Sequence, residues 1–171
     1  MSQRLFCPSQ LVILILEAEA IPAQARRAAA ALAEGRADRA IELARDGKAE
    51  QMLDLARHID AVTKAGKAAE ILDLGEELAR SNDLSLTLET LARLYRDQAA
   101  ATLGLSERVR AFDSPAGETG ADRGGPSARE AAERVSLVQR AGDSLERNAN
   151  RQIALDALLF QLRTGATDGS D

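Results

Sequence analysis

The stretch that most limits how this chain can fold is NANRQIALDALLFQLR, Asn148 to Arg163. Its periodicity is helical, yet it is apolar on more than one side. Ile153, Ala154, Leu155, Ala157, Leu158, Leu159, Phe160 and Leu162 leave only Arg151, Gln152, Asp156 and Gln161 for water. A helix at the edge of a monomer shows one apolar stripe and one polar face. Two settings satisfy this segment. It is either the centre of its own bundle, or it lies between that bundle and a neighbouring chain. The residues ahead of it sharpen the picture, because Arg147 to Asn150 forms a tight joint with Asn150 in position to cap the new helix.

The rest of the chain is also helical in pattern. Hydrophobic residues make up 45% of its 171 residues but aromatics only 2%. Aliphatic ridges of Ala and Leu suit helix packing, whereas a β-sandwich draws on Val, Ile, Thr and aromatic side chains. The expectation is an all-α protein with no strand. Ser9 is a candidate cap for a first helix over the apolar run LVILIL, and Ile21-Pro22 interrupts it. Two short Ala-rich helices follow, from Ala23 to Glu34 and from Asp38 to Arg45, with breaks at Gly35 and Gly47. From Ala49 the elements lengthen. Met52, Leu53, Ala56, Ile59 and Val62 recur every three or four residues, Gly66 is a point where the run either kinks or divides, and Ile71, Leu72, Leu74 and Leu78 continue it. Leu84, Leu88, Leu91 and Tyr95 define the next helix, which stops near Gly104. Ala131, Val135, Val138, Gly142 and Leu145 mark another.

Between these last two, FDSPAGETGADRGGPSA is rich in Gly, Pro and Ser and has no period, as a linker would. The tail TGATDGSD reads as disordered. The organisation expected is a short-helix region over 1–46, longer helices over 47–111, a linker over 112–127, a helical hairpin over 128–163 and a tail over 164–171.

Several kinds of chemistry find no residues to support them. No GxxxxGK[ST] phosphate loop is present, and the sole Gly-Gly pair lies in the linker. With one Cys and one His, a zinc site lacks ligands; Asp54 and His58 stand four apart but have no third ligand in the pattern. No GxSxG accompanies His58. Glu70, Asp73, Glu76 and Glu77 read as a solvated helix face. The formal charge of −5, without a basic stripe or interleaved aromatics, argues against direct nucleic-acid binding. LVILIL is far shorter than the roughly 20 residues of a membrane span. The lone Cys7 rules out an internal disulfide and fits a reducing cytoplasm. No catalytic residue, cofactor or metal is expected.

Three segments, in order, resemble the delta-prime subunits of bacterial DNA polymerase III clamp loaders. LEAEAIPAQARRAAAALAEGRADRAIELA is similar to the end of that family's helical lid domain, matching at Gly35, Arg39 and Ala40 and departing at Arg36 and Asp38. LETLARLYRDQAAATLG resembles a collar helix with an Arg-Asp pair, here Arg96 and Asp97. LERNANRQIALDALLFQLR resembles the closing collar motif, N-x-N before a Leu/Ala-rich helix, matching at Asn148, Asn150, Leu155, Leu158, Leu159 and Leu162.

The resemblance implies a lid remnant over 1–46 followed by a collar-type helical bundle, with the nucleotide-binding domain lying upstream of Met1. It also implies a non-catalytic role in DNA replication, in which those eight residues contact other clamp-loader subunits in a cytoplasmic hetero-oligomer. An alternative is a free-standing tetratricopeptide-like adaptor, since ALAEGRADRAIELA passes for one such hairpin. No second copy follows about 34 residues on, as that array requires.

Overall fold

A computed structural model of the chain describes residues 8–105 and 126–167. Among them are eight α-helices and no strand, so the protein is all-α. The expected linker lies outside the described residues except for Pro126 and Ser127. The chain divides into two compact units, Met1–Asp54 and Leu55–Asp171. The boundary falls inside a helix, beyond the expected break after residue 46.

The first unit is built from short helices. α1 (Pro8–Ala18) starts one residue ahead of the expected Ser9 cap. It ends where Ala20 turns left-handed (φ 57°) and Pro22 fixes an extended entry to the next helix. Val12 and Leu16, four residues apart on one face, are fully buried. α2 (Ala23–Leu32) turns Ala25, Ala28, Ala29 and Ala30 inward. Such small side chains let helix backbones approach closely, and α2 packs on both α1 and α3 (Ala37–Ala44). The expected break at Gly35 is a left-handed pair, Glu34 (φ 52°) and Gly35 (φ 83°).

Gly47 also has positive φ, at 66°. The C-cap of α3 is Arg45, so Gly47 lies beyond the end of that helix. It closes a 3-10 turn, Arg45–Gly47, that leads directly into α4 (Lys48–Ala65). Met52 and Leu53 are buried in the part of α4 belonging to this unit.

The second unit combines the end of α4 with α5 (Ala68–Arg80), α6 (Leu84–Thr102), α7 (Ala128–Glu146) and α8 (Arg151–Thr167). α6 packs on α7, α7 on α8, and α8 on α5. Their apolar faces share one core, with Ile59, Ile71, Leu74, Leu78, Leu84, Leu88, Leu91 and Val138 all buried. α4 ends at Ala65 and Gly66 separates it from α5, one of the two outcomes the sequence left open. A Cβ on Gly66 would meet the Val62 carbonyl oxygen at 2.5 Å, so only glycine fits.

Leu72 departs from expectation and is exposed. The inward face of α7 is also rotated from the predicted one. Arg134 and Ala141 are buried, while Gly142 has open space around it. Ser127 caps α7: its Oγ accepts the Glu130 N–H at 3.2 Å, and Glu130 accepts the Ser127 N–H in return. That reciprocal bonding to Ser127 holds the Glu130 carboxyl below the usual carboxylate range. Finally, α8 runs on to Thr167, so residues 164–167 are helical and the predicted tail starts too early.

Candidate functional site

The joint between α7 and α8 explains the two asparagines of N-x-N. Asn148 is left-handed (φ 62°) one residue past the C-cap of α7. Its N–H donates to Leu145 O at 3.0 Å, and the Ala149 N–H donates to Ser144 O at 3.0 Å. Together these bonds make a Schellman motif, in which Asn is the usual substitute for Gly. Two residues on, Asn150 Oδ1 accepts the Ile153 N–H at 3.1 Å, the N-cap bond expected from its position. Both asparagines are exposed, and the bonds they make are internal to the chain. Their work here is to stop one helix and start another within four residues.

The four leucines of α8 require a correction. Leu155, Leu158, Leu159 and Leu162 are 0%, 3%, 0% and 1% exposed. They face α5, α7 and the common core of their own unit, so they cannot also touch another subunit. Burial of each contributes about 1.5–3 kcal/mol to folding. The Arg-Asp pair is split in the same way. Arg96 is exposed, while Asp97 is buried and lies 3.8 Å from Arg93 one turn earlier. Of the eight residues assigned to a subunit interface, the structure leaves Arg96, Asn148 and Asn150 accessible and encloses the other five. Nor are the eight brought together into one surface.

α8 nonetheless has a second apolar face. Ile153 is 68% exposed. Ala157 is exposed too, and Phe160 is half-buried. Spacings of four and three put these residues in one row along the helix. Their neighbour is α5. Arg151 Nη1 approaches Ala79 O at 3.4 Å, while a Cβ on Gly75 would come within 2.3 Å of Asp156 Oδ1. These two contacts set α5 and α8 antiparallel, with Gly75 allowing the close approach. At about 100° per residue, Leu72 falls on the outward side of α5's contact line, level with Ala157 and Phe160. Leu72, Ile153, Ala157 and Phe160 therefore line an uncovered apolar groove between the two helices.

No protein-family model, curated protein or solved structure matches this chain.

On the inside of the same unit is a buried ionic cluster. Asp60 on α4 accepts from Lys64 Nζ at 2.6 Å, Gln98 Nε2 at 3.3 Å and Arg134 Nη1 at 3.3 Å. The Arg134 side chain is 5% exposed and its guanidinium lies 5.5 Å from the centre of the Tyr95 ring. Tyr95 is wholly enclosed. Its hydroxyl sits beside Thr63 and Asp60 without a hydrogen bond of standard geometry to either. Burial, aided by the Asp60 charge, pushes the Tyr95 phenol well above its ordinary value, against the opposing pull of Arg134. The cluster ties α4, α6 and α7 together across 74 residues of sequence.

Periodicity alone did not reveal this cluster. A charged residue at position 134 reads as solvent-facing, and nothing nearby in sequence names its partner. The sole available signal was that Arg134 lies three residues after Ala131 and four before Val138, on the apolar side of α7.

The remaining polar residues form no comparable centre. Asp54 and His58 are both exposed on α4. Among the described residues, no group of three or more His, Cys, Asp and Glu side chains is placed to hold a metal ion. No helix among them is long and apolar enough to cross a membrane.

Proposed function

We propose that this chain is a non-catalytic assembly module, and that its second unit acts as the collar-type region of a delta-prime-like clamp-loader subunit. In that role it supports the loading of sliding clamps during DNA replication by packing against other subunits. It does so without binding nucleic acid itself. The observation that carries this reading is the division of labour on α8: one apolar face closes the fold and a second is left uncovered beside Leu72. The contact surface is then the α5–α8 groove. The buried leucines hold the helix that presents it.

The order of the resembling segments and the NAN joint, which orients α8 on α7, lend further support. The repeat-adaptor alternative gains nothing comparable, because α1 lies on both helices of the α2–α3 pair that would form the repeat.

The test is co-purification of the full chain with the clamp-loader subunits of its source organism. Ile153→Asp should abolish association and leave helicity intact. Association that survives Ile153→Asp refutes the groove as the contact surface. Absence of any association in the unsubstituted chain refutes the clamp-loader assignment.

A further inference from the structure

The α5–α8 groove is apolar along its floor and acidic along one bank. Its floor is Leu72, Ile153, Ala157 and Phe160. Of the exposed charged residues of α5, Asp73, Glu76 and Arg80 lie on this outer side, while Glu70 and Glu77 fall about 140–160° round the helix from Leu72. Asp73 and Glu76 stand next to Leu72 on the side away from α8. Arg80 pairs with Glu76 one turn below it, which leaves the bank negative overall. On the α8 side the bordering residues are the uncharged Gln161 and Thr164, with Arg151 reaching across to Ala79 O at the Ile153 end.

The groove is also small. From Ile153 to Phe160 the helix rises about 10 Å. A stable globular dimer covers about 800 Å² on each partner, which is much more than four side chains on two adjacent helices can offer. One helix laid along the groove matches its length and width. A second copy of this chain meeting the first through the same groove would bring no net positive charge opposite the α5 bank.

We propose that the groove takes a single amphipathic helix of another polypeptide, its apolar stripe bordered by Lys or Arg that face the α5 bank. This rests on the assembly reading above and adds the chemistry of the partner.

The probe is a pair of synthetic helical peptides with the same Leu/Ala stripe, one bordered by Lys and the other by Glu. Each is titrated into the isotope-labelled full chain and followed by amide chemical shifts. The Lys peptide should shift amides along the outer sides of α5 and α8 and bind roughly tenfold tighter than the Glu peptide. Added salt should narrow that preference. The double variant Asp73→Lys with Glu76→Lys should reverse it, and Ile153→Asp should remove binding of either peptide.

Equal binding of the two peptides, shifts confined to another surface, or no binding at all would overturn the proposal. The two readings fail separately. Clamp-loader association that needs Ile153 but ignores salt and the α5 charges sinks the basic-helix proposal alone. Lys-peptide binding in the groove without any clamp-loader association sinks the clamp-loader assignment alone.

Discussion

The cluster around Asp60 makes an asymmetric prediction. Asp60 has three cationic or amide donors, whereas among the described residues Arg134 has one carboxylate within ion-pair distance, that of Asp60. Asp60→Leu therefore strands a guanidinium whose side chain is only 5% exposed, beside the Tyr95 ring. Removing one partner of a buried pair in this way costs about 3–5 kcal/mol. Arg134→Met leaves Asp60 with Lys64 and Gln98, fills most of the vacated volume, and loses one charge-assisted bond. That loss is about 1.5–3 kcal/mol. The double variant leaves neither buried charge unpaired, so it should cost less than the sum of the two by about 1–3 kcal/mol.

Urea unfolding followed by circular dichroism measures all three, provided the slopes agree among variants. The lone tyrosine, in a chain without tryptophan, supplies an independent fluorescence signal from inside the cluster. Costs below about 1 kcal/mol for both single variants, or a larger loss for Arg134→Met than for Asp60→Leu, would refute the account of the cluster.

Other predictions concern the joint, the lone tyrosine and the two faces of α8. Asn150→Ala should cost about 1 kcal/mol in urea unfolding through loss of the α8 cap. Asn148→Ala should cost about as much while Asn148→Gly is nearly neutral, because only the alanine is strained at φ 62°. Folding raises the Tyr95 phenol value, so the native state keeps its proton where the unfolded chain, near pH 10, gives it up. Stability should accordingly fall as pH rises above about 10, and phenolate absorbance should grow in only as the protein unfolds. Leu159→Ala, at a fully buried position, should cost about 2–5 kcal/mol, against at most about 0.5 kcal/mol for Ile153→Ala on the outer face.

Much of the second unit could be read from spacing, because helical periodicity records which residues face a core. The stripe through Leu84, Leu88, Leu91 and Tyr95 is buried as expected. The division at Gly66 and the Asn150 cap rest on local backbone chemistry that a short window contains. Where the reading failed, the deciding contact lay far away in sequence. Arg134 is inside because Asp60, 74 residues earlier, meets it there. Leu72 is outside because α8 covers Gly75 and leaves the next ridge of α5 bare. The excess apolar surface of α8 was visible in the sequence. Its apportionment was not: Leu155, Leu158, Leu159 and Leu162 close the fold, and the uncovered side belongs to Ile153, Ala157 and Phe160. One helix offers both rows, and only the positions of α5 and α7 decide between them.

The central claim is that α8 folds with one face and binds with the other. Its most direct test sets Leu158→Asp against Ile153→Asp, measuring helicity by circular dichroism and association with clamp-loader subunits by sedimentation velocity. Leu158→Asp should unfold the second unit, whereas Ile153→Asp should keep full helicity and sediment as the unassociated chain. A folded Ile153→Asp variant that still co-sediments with those subunits would contradict the account.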